Sequence, residues 1–312
     1  MNKLKIFKII LMSNPGEKKP NDDRKKQLPI VTELNEEELN NLIKLINGIR
    51  DSADKENSIA ELSKMKDHFP NLALYLWHAN GIIAILLQDL ISIYQMLSPP
   101  NTLSSSAANV VCNILSLIQC LAAHKDTRSL LLSAHIPLFL FPFLNTLNKN
   151  SNYDTIRLTS LGVIGSLVKA DSSEVINYLL QTEIIPLCLR IMERGSDLCQ
   201  LISTFIIQKI LTDQGGLNYI CQKPERFYVI NTVLEKLLKK QASSSPPQKR
   251  LLKNIIRCYL KLSENTRANS ALKENIPSEL NDPRIVSALD ENSKKCLSNL
   301  FLNLNQVNIN TS

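Results

Sequence analysis

From Asn35 to about Leu302 the apolar residues recur every three to four positions, and the breaks between apolar runs are short. That spacing predicts a succession of helices, because a half-buried strand would alternate at every second residue. The breaks are themselves ordered. TRSLLLSA (127–134) predicts a short helix, HIPLFLFPFLNTL (135–147) a second, and YDTIRLTSLGVIGSLVKA (153–170) a longer third. The triplet then returns as EVINYLLQT (174–182), EIIPLCLRIME (183–193) and SDLCQLISTFIIQKILTD (196–213). Pro137 and Pro186 hold the same place, just inside the second helix, where a missing N–H costs little.

Weaker copies flank this pair. ALYLWHA, NGIIAILLQDLISIY and AANVVCNILSLIQCLAA precede it, and LNYICQK, RFYVINTVLEKLLKK and KRLLKNIIRCYLKLSE follow. The reading is about six units spaced by roughly 40 to 55 residues, near the range of helical HEAT and armadillo arrays. Less regular end units are expected where one face must meet water. A short helix, a helix opening on Ile-Pro and a long helix together resemble the armadillo repeat, so the expected fold is an all-α, armadillo-like superhelix whose third helices line one concave face. Each third helix would bury five or six large aliphatic side chains, worth about 1.5–3 kcal/mol apiece before entropy is subtracted.

The pattern sets the domain boundaries: a basic leader over 1–33, one repeat domain over 34–302, and a tail over 303–312. KKQASSSPPQKR (239–250), rich in Ser and Pro, is expected to be an exposed loop between a second and a third helix.

Composition changes this picture little. Only 8 glycines in 312 residues argue against β or Rossmann-type designs, which use glycine at turns and phosphate loops. The seven cysteines form no CxxC pair and fall within apolar helical runs, which points to reduced packing residues in a cytoplasmic protein, with the nucleus as a second location. The net charge of +7 is concentrated in residues 1–30, where eight basic residues stand against three acidic ones. LKIFKIILM near the start is too short and too interrupted by lysine to span a bilayer. It reads as a leader or a membrane-surface helix.

Candidate chemistry is sparse. The four histidines, 68, 78, 124 and 135, have no partners at metal-binding or catalytic spacing, and the phosphate-loop, zinc-protease and nucleophile-elbow motifs are missing. His124 and His135 sit at helix ends, where imidazoles cap. Glu36, Glu37 and Glu38 open a helix, where carboxylates suit the positive dipole end. The expectation is a binding protein, not an enzyme, with no metal and no cofactor.

Gly162 and Gly165 lie on one side of a third helix, each costing about 0.5–1 kcal/mol against alanine. Two causes remain open: close approach of a neighbouring helix, or a concave groove left shallow for a partner peptide, with Ile202 and Phe205 as apolar walls. Trp77, ending a helix beside His78, is either core or interface.

LWHANGIIAILLQ, AHIPLFLFPFL, RLTSLGVIGSLVK, VINYLLQTEIIPLCLRIM, LRIMERGSDL, FIIQKIL and IRCYLKLSENTRA resemble the cell-differentiation protein family (Rcd-one), the armadillo-type ninth subunit of the CCR-NOT mRNA deadenylase complex. The resemblance runs from about Leu34 to Leu302. It implies a non-catalytic adaptor that docks on the scaffold subunit and recruits RNA-binding regulators, promoting deadenylation, decay and translational repression. It places His78, Ala84 and Ile91 at the scaffold, with Asn80 where the family usually has Phe. It places Thr155, Gly162 and Ile202 in a peptide groove, Thr155 replacing an aromatic of animal relatives. It also assigns Pro224, Arg226 and Arg267 to a tryptophan pocket, Pro224 standing where those relatives carry Tyr. Nucleic-acid binding and self-association are further implications, with Arg250, Arg257 and Lys261 as electrostatic candidates beside the plainer reading of a solvated basic face. The alternative to the adaptor is a nucleic-acid-binding or transcription-coregulator repeat protein; no membrane partner is expected.

Overall fold

The computed structural model describes residues 35–69, 71–98, 102–146 and 148–306, so the 1–33 leader and most of the expected tail lie outside the described residues. Within them the regular structure is helical, with 17 α-helices and three short 3₁₀ segments and no strand. Contacts divide the chain into two compact units meeting at Phe139 and Leu140.

The first unit carries α1 (Glu36–Gly48), α2 (Lys55–Met65), α3 (Leu72–His78), α4 (Ile82–Ser92), α5 (Ser105–Ala123) and α6 (Lys125–Ser133). Helix α1 opens on a capping box in which Asn35 Oδ1 accepts from Glu38 N while Glu38 accepts from Asn35 N, so Glu38 lies at the helix start and also caps it. Helix α5 packs against α2, α3 and α4. It is long and apolar enough to cross a membrane by length and composition, but Val111, Ile114, Leu115, Leu117, Ile118 and Leu121 are buried in this unit. His124 ends α5 and starts α6, its Nδ1 accepting from Asp126 N at 3.2 Å.

The second unit holds α7 (Phe141–Asn145), α8 (Ser151–Val168), α9 (Ser173–Leu180), α10 (Ile184–Arg194), α11 (Asp197–Thr212), α12 (Gln214–Gln222), α13 (Pro224–Ala242), α14 (Lys249–Ser263), α15 (Thr266–Glu274), α16 (Pro283–Ala288) and α17 (Glu291–Gln306). Two complete triplets follow, α9–α11 with short, middle and long helices as expected, and α12–α14, in which the middle helix, at 19 residues, is longer than the third, at 15. The long helices stack in series, α8 on α11, α11 on α14 and α14 on α17. The Cys199 thiol donates to Asp154 near the starts of α11 and α8, and Lys209 pairs with Asp171 near their ends, so these two helices run in the same direction. Because α8 and α11 are each covered by more than one neighbour, their buried residues exceed a single stripe: Tyr153, Ile156, Leu161, Val163, Ile164, Leu167 and Val168 on α8 alone.

Three expectations change. The helix expected over 135–147 is a 3₁₀ turn at Ile136–Leu140 followed by the short α7, because Pro142 as well as Pro137 removes an N–H that a continuous α-helix needs. The loop expected over 239–250 shrinks to 243–248. Leu237, Leu238, Gln241 and Ala242 continue α13's buried stripe, and buried Gln241 accepts from Gln248 N at 2.7 Å to close the turn. The terminal boundary also moves, since α17 continues to Gln306 with Leu304 buried.

Candidate functional surfaces

Helix α8, in the second unit, carries two of the three residues expected in the peptide groove, Thr155 and Gly162. Thr155, Thr159 and Gly162 follow one another at intervals of four and three, and are exposed or half-buried. The hydroxyl of Thr155 donates to Ser151 O, and that of Thr159 to Thr155 O, both at 2.8 Å. With the hydroxyls turned back onto the helix, the threonines offer methyl groups outward. Helix α11 supplies half-buried Ile202 and Phe205, with Lys209 Nζ 5.9 Å from the Phe205 ring centroid. Thr155, Gly162 and Ile202 thus lie on two packed neighbouring helices.

The two glycines separate. Gly165 is buried, and a Cβ there would lie 3.6 Å from Ile202 Cγ2, an ordinary contact. It belongs to the seam between α8 and α11, whereas Gly162 is half-buried.

In the first unit, α3 and α4 meet at an angle of 89° around Ala79–Gly81. Gly81 has φ +75°, and a Cβ there would meet nothing within 4 Å; the left-handed backbone, not space, requires glycine. Arg50 braces this corner by donating to Asn80 O at 2.8 Å. His78 and Trp77 are half-buried, and burial lowers the His78 pKa below the usual imidazole value. Ala84 and Ile91 are exposed two turns apart on α4, Ile91 at 44%, while Ile82, Leu86 and Leu90 face inward. Of the three residues expected to touch a scaffold, His78 thus ends α3 at this corner, and Ala84 and Ile91 lie on α4.

The three residues assigned to a tryptophan pocket do not share one cavity. Pro224 and Arg267 line a small cleft of about 170 Å³ with Phe227, Tyr228 and Ala271. Arg226 instead lines a larger groove of about 950 Å³ between α10 and α13. Its guanidinium lies 3.6 Å over the Tyr219 ring and donates to Tyr219 O at 2.8 Å. The chain's own aromatic ring already occupies one face of the cation, a pairing the sequence reading missed. Exposed Tyr228 and Val229 stand on the rim of this groove.

On α14, Arg250 is exposed, and Arg257 and Lys261 are half-buried. Lys261 pairs with Glu264 at 2.9 Å and Lys253 with Asp290 at 3.5 Å. Tyr259, the one aromatic ring beside them in sequence, is wholly buried, so the face is charged but offers no ring for base stacking.

Among the described residues no group of three or more His, Cys, Asp or Glu side chains could hold a metal ion, and all seven cysteines are free. Burial pushes the Cys188 thiol up to about 12, and the Cys199 and Cys221 thiols up to about 11, far from a reactive thiolate.

Stacked triplets of helices, the third of each packed on the third of the next, define an armadillo-type repeat protein. Solved structures agree on the fold: a designed armadillo repeat protein superposes with a TM-score of 0.60 at 15% identity, covering 84% of this chain and 99% of that one. A second, designed for modular peptide recognition, also gives 0.60, at 14% identity over 84% of this chain and 99% of that chain. The family description "Cell differentiation family, Rcd1-like" matches residues 45–304, and the chain belongs to that family. It is 50% identical over 268 residues to the cell differentiation protein rcd1 of Schizosaccharomyces pombe, covering 85% of this chain and 92% of that protein. It is 49% identical over 254 residues to protein CAF40 of Saccharomyces cerevisiae, covering 81% of this chain and 68% of that protein.

Proposed function

We propose that the chain is a non-catalytic adaptor of the CCR-NOT deadenylase complex, docking on the scaffold subunit through the α3–α4 corner and recruiting regulators of mRNA through the α8–α11 face. Family membership over residues 45–304 carries this reading. It is supported by two surfaces whose make-up suits protein ligands: an exposed Ala84–Ile91 stripe beside His78, and a methyl-rich floor with a glycine gap at 162 and apolar walls at Ile202 and Phe205.

Gly162 is where the mechanism concentrates. A partner helix laid across α8 gains contact with the backbone only where no side chain intervenes. Regulators held there would bring their bound mRNAs to deadenylases carried by the same scaffold, so poly(A) shortening follows from proximity alone, without chemistry in this chain. Tagged full-length protein should co-purify the scaffold subunit and the deadenylases under gentle conditions. Recovery of neither would refute the adaptor reading.

A further inference from the structure

A second cleft in the 140–312 unit adjoins the larger α10–α13 groove, with which it shares Arg190, Glu193 and Arg194. It measures about 830 Å³ and sits where α8 and α11 begin and α10 ends. Five basic side chains line it, Lys149, Arg157, Arg190, Arg194 and Lys240, against two carboxylates, Asp154 and Glu193.

The carboxylates are already engaged. Asp154 pairs with Arg157 at 2.8 Å, and Glu193 with Lys236 at 2.7 Å outside the cleft. Lys240 pairs with Asp197 at 2.7 Å. Three cations are left over. Among the described residues, Arg190 donates only to a neutral acceptor, Asn145 Oδ1, and Lys149 and Arg194 are exposed with no carboxylate partner. Gly195 and Ser196 add the start of α11, whose dipole favours negative charge in the same place.

We propose that this cleft binds a phosphoserine or phosphothreonine side chain of a partner protein. Two guanidinium groups and one ammonium around a single hollow suit a compact dianion, whose oxygens can each take a charge-assisted hydrogen bond. No aromatic residue lines the hollow, so it offers nothing on which a nucleic-acid base would stack. The uncompensated cations are also gathered at one site and do not form a track that a phosphodiester backbone could follow. Phosphorylation of a partner would then regulate its capture at an edge distinct from the α8–α11 groove face.

The test is amide NMR on the ¹⁵N-labelled full chain at fixed ionic strength. Three probes are added in turn: inorganic phosphate, a pool of serine-centred phosphopeptides beside their unphosphorylated twins, and oligothymidylate. Phosphate and the phosphopeptides should shift the amides around 148–151 and 194–196, and the unphosphorylated twins should not. Lys149→Glu with Arg194→Glu should weaken phosphopeptide binding by about tenfold or more, the scale of losing charged hydrogen bonds. The milder Lys149→Gln with Arg194→Gln should do the same with an unchanged circular dichroism spectrum, and Arg250→Glu on α14 should have no effect. Shifts confined to inorganic phosphate would mean an adventitious ion only. Oligothymidylate binding these amides more tightly than the phosphopeptides would make the cleft a nucleic-acid surface. Either result, or no shift there, overturns the proposal.

Discussion

Gly165 faces Ile202: the hydrogen on the α8 backbone leaves a gap that one methyl would fill, 3.6 Å from Ile202 Cγ2. The seam between these two long helices therefore tolerates alanine but nothing larger. Gly165→Ala should stabilise the protein by about 0.5–1 kcal/mol through helix propensity. Gly165→Leu should destabilise it by about 1–3 kcal/mol by overpacking. Urea unfolding of the two variants checks both signs.

Arg157 ties the start of α8 to the turn before it. Its side chain is only 6% exposed; it pairs with Asp154 and donates to the carbonyls of Thr146 and Asn148 at 2.9 and 2.8 Å, fixing the turn before α8. Arg157→Ala leaves those acceptors without their donor and should cost about 3 kcal/mol. Arg157→Lys, lacking the planar fork, should recover only part of it in the same unfolding experiment.

His124 makes the junction of α5 and α6 sensitive to acid. Its Nδ1 must be unprotonated to accept from Asp126 N, and burial holds its pKa below the usual imidazole value of 6.5. A histidine with a lowered folded pKa contributes stability above its unfolded pKa and loses it as pH falls through the folded value. The cap, worth about 0.5–1 kcal/mol, should be lost below pH 6.5. His124→Asn, which caps at any pH in this range, should flatten that part of the stability profile. An unchanged profile would mean that other groups set the acid sensitivity.

The repeat was legible because its signals are local. Helical spacing, the matched prolines 137 and 186, and the acidic helix start at Glu36–Glu38 each act within one or two turns. The boundary at Ala242 was hidden: the Ser-Pro composition of 243–247 masked a buried stripe that ends only at Gln241 and Ala242. The glycines looked equivalent in sequence, yet the crossing of α11 buries one and leaves the other at the surface, which helix spacing alone cannot tell. The split between Arg226 and Arg267 was hidden for a similar reason, since Tyr219 reaches Arg226 across the turn joining α12 and α13. The cationic cleft gathers Lys149, Arg190, Arg194 and Lys240 from separate segments, and no linear spacing announces it.

The adaptor account rests on two surfaces that act independently, one at the α3–α4 corner and one on the α8–α11 face. The direct measurement is quantitative mass spectrometry of proteins co-purified with tagged wild type, with Gly162→Trp, and with His78→Ala combined with Ala84→Tyr. The account predicts that Gly162→Trp keeps the scaffold and deadenylases but loses the RNA-binding regulators, while the double variant loses the scaffold and the deadenylases it carries and keeps the regulators. Equal loss of both sets from a folded variant, or no loss from either, would contradict it.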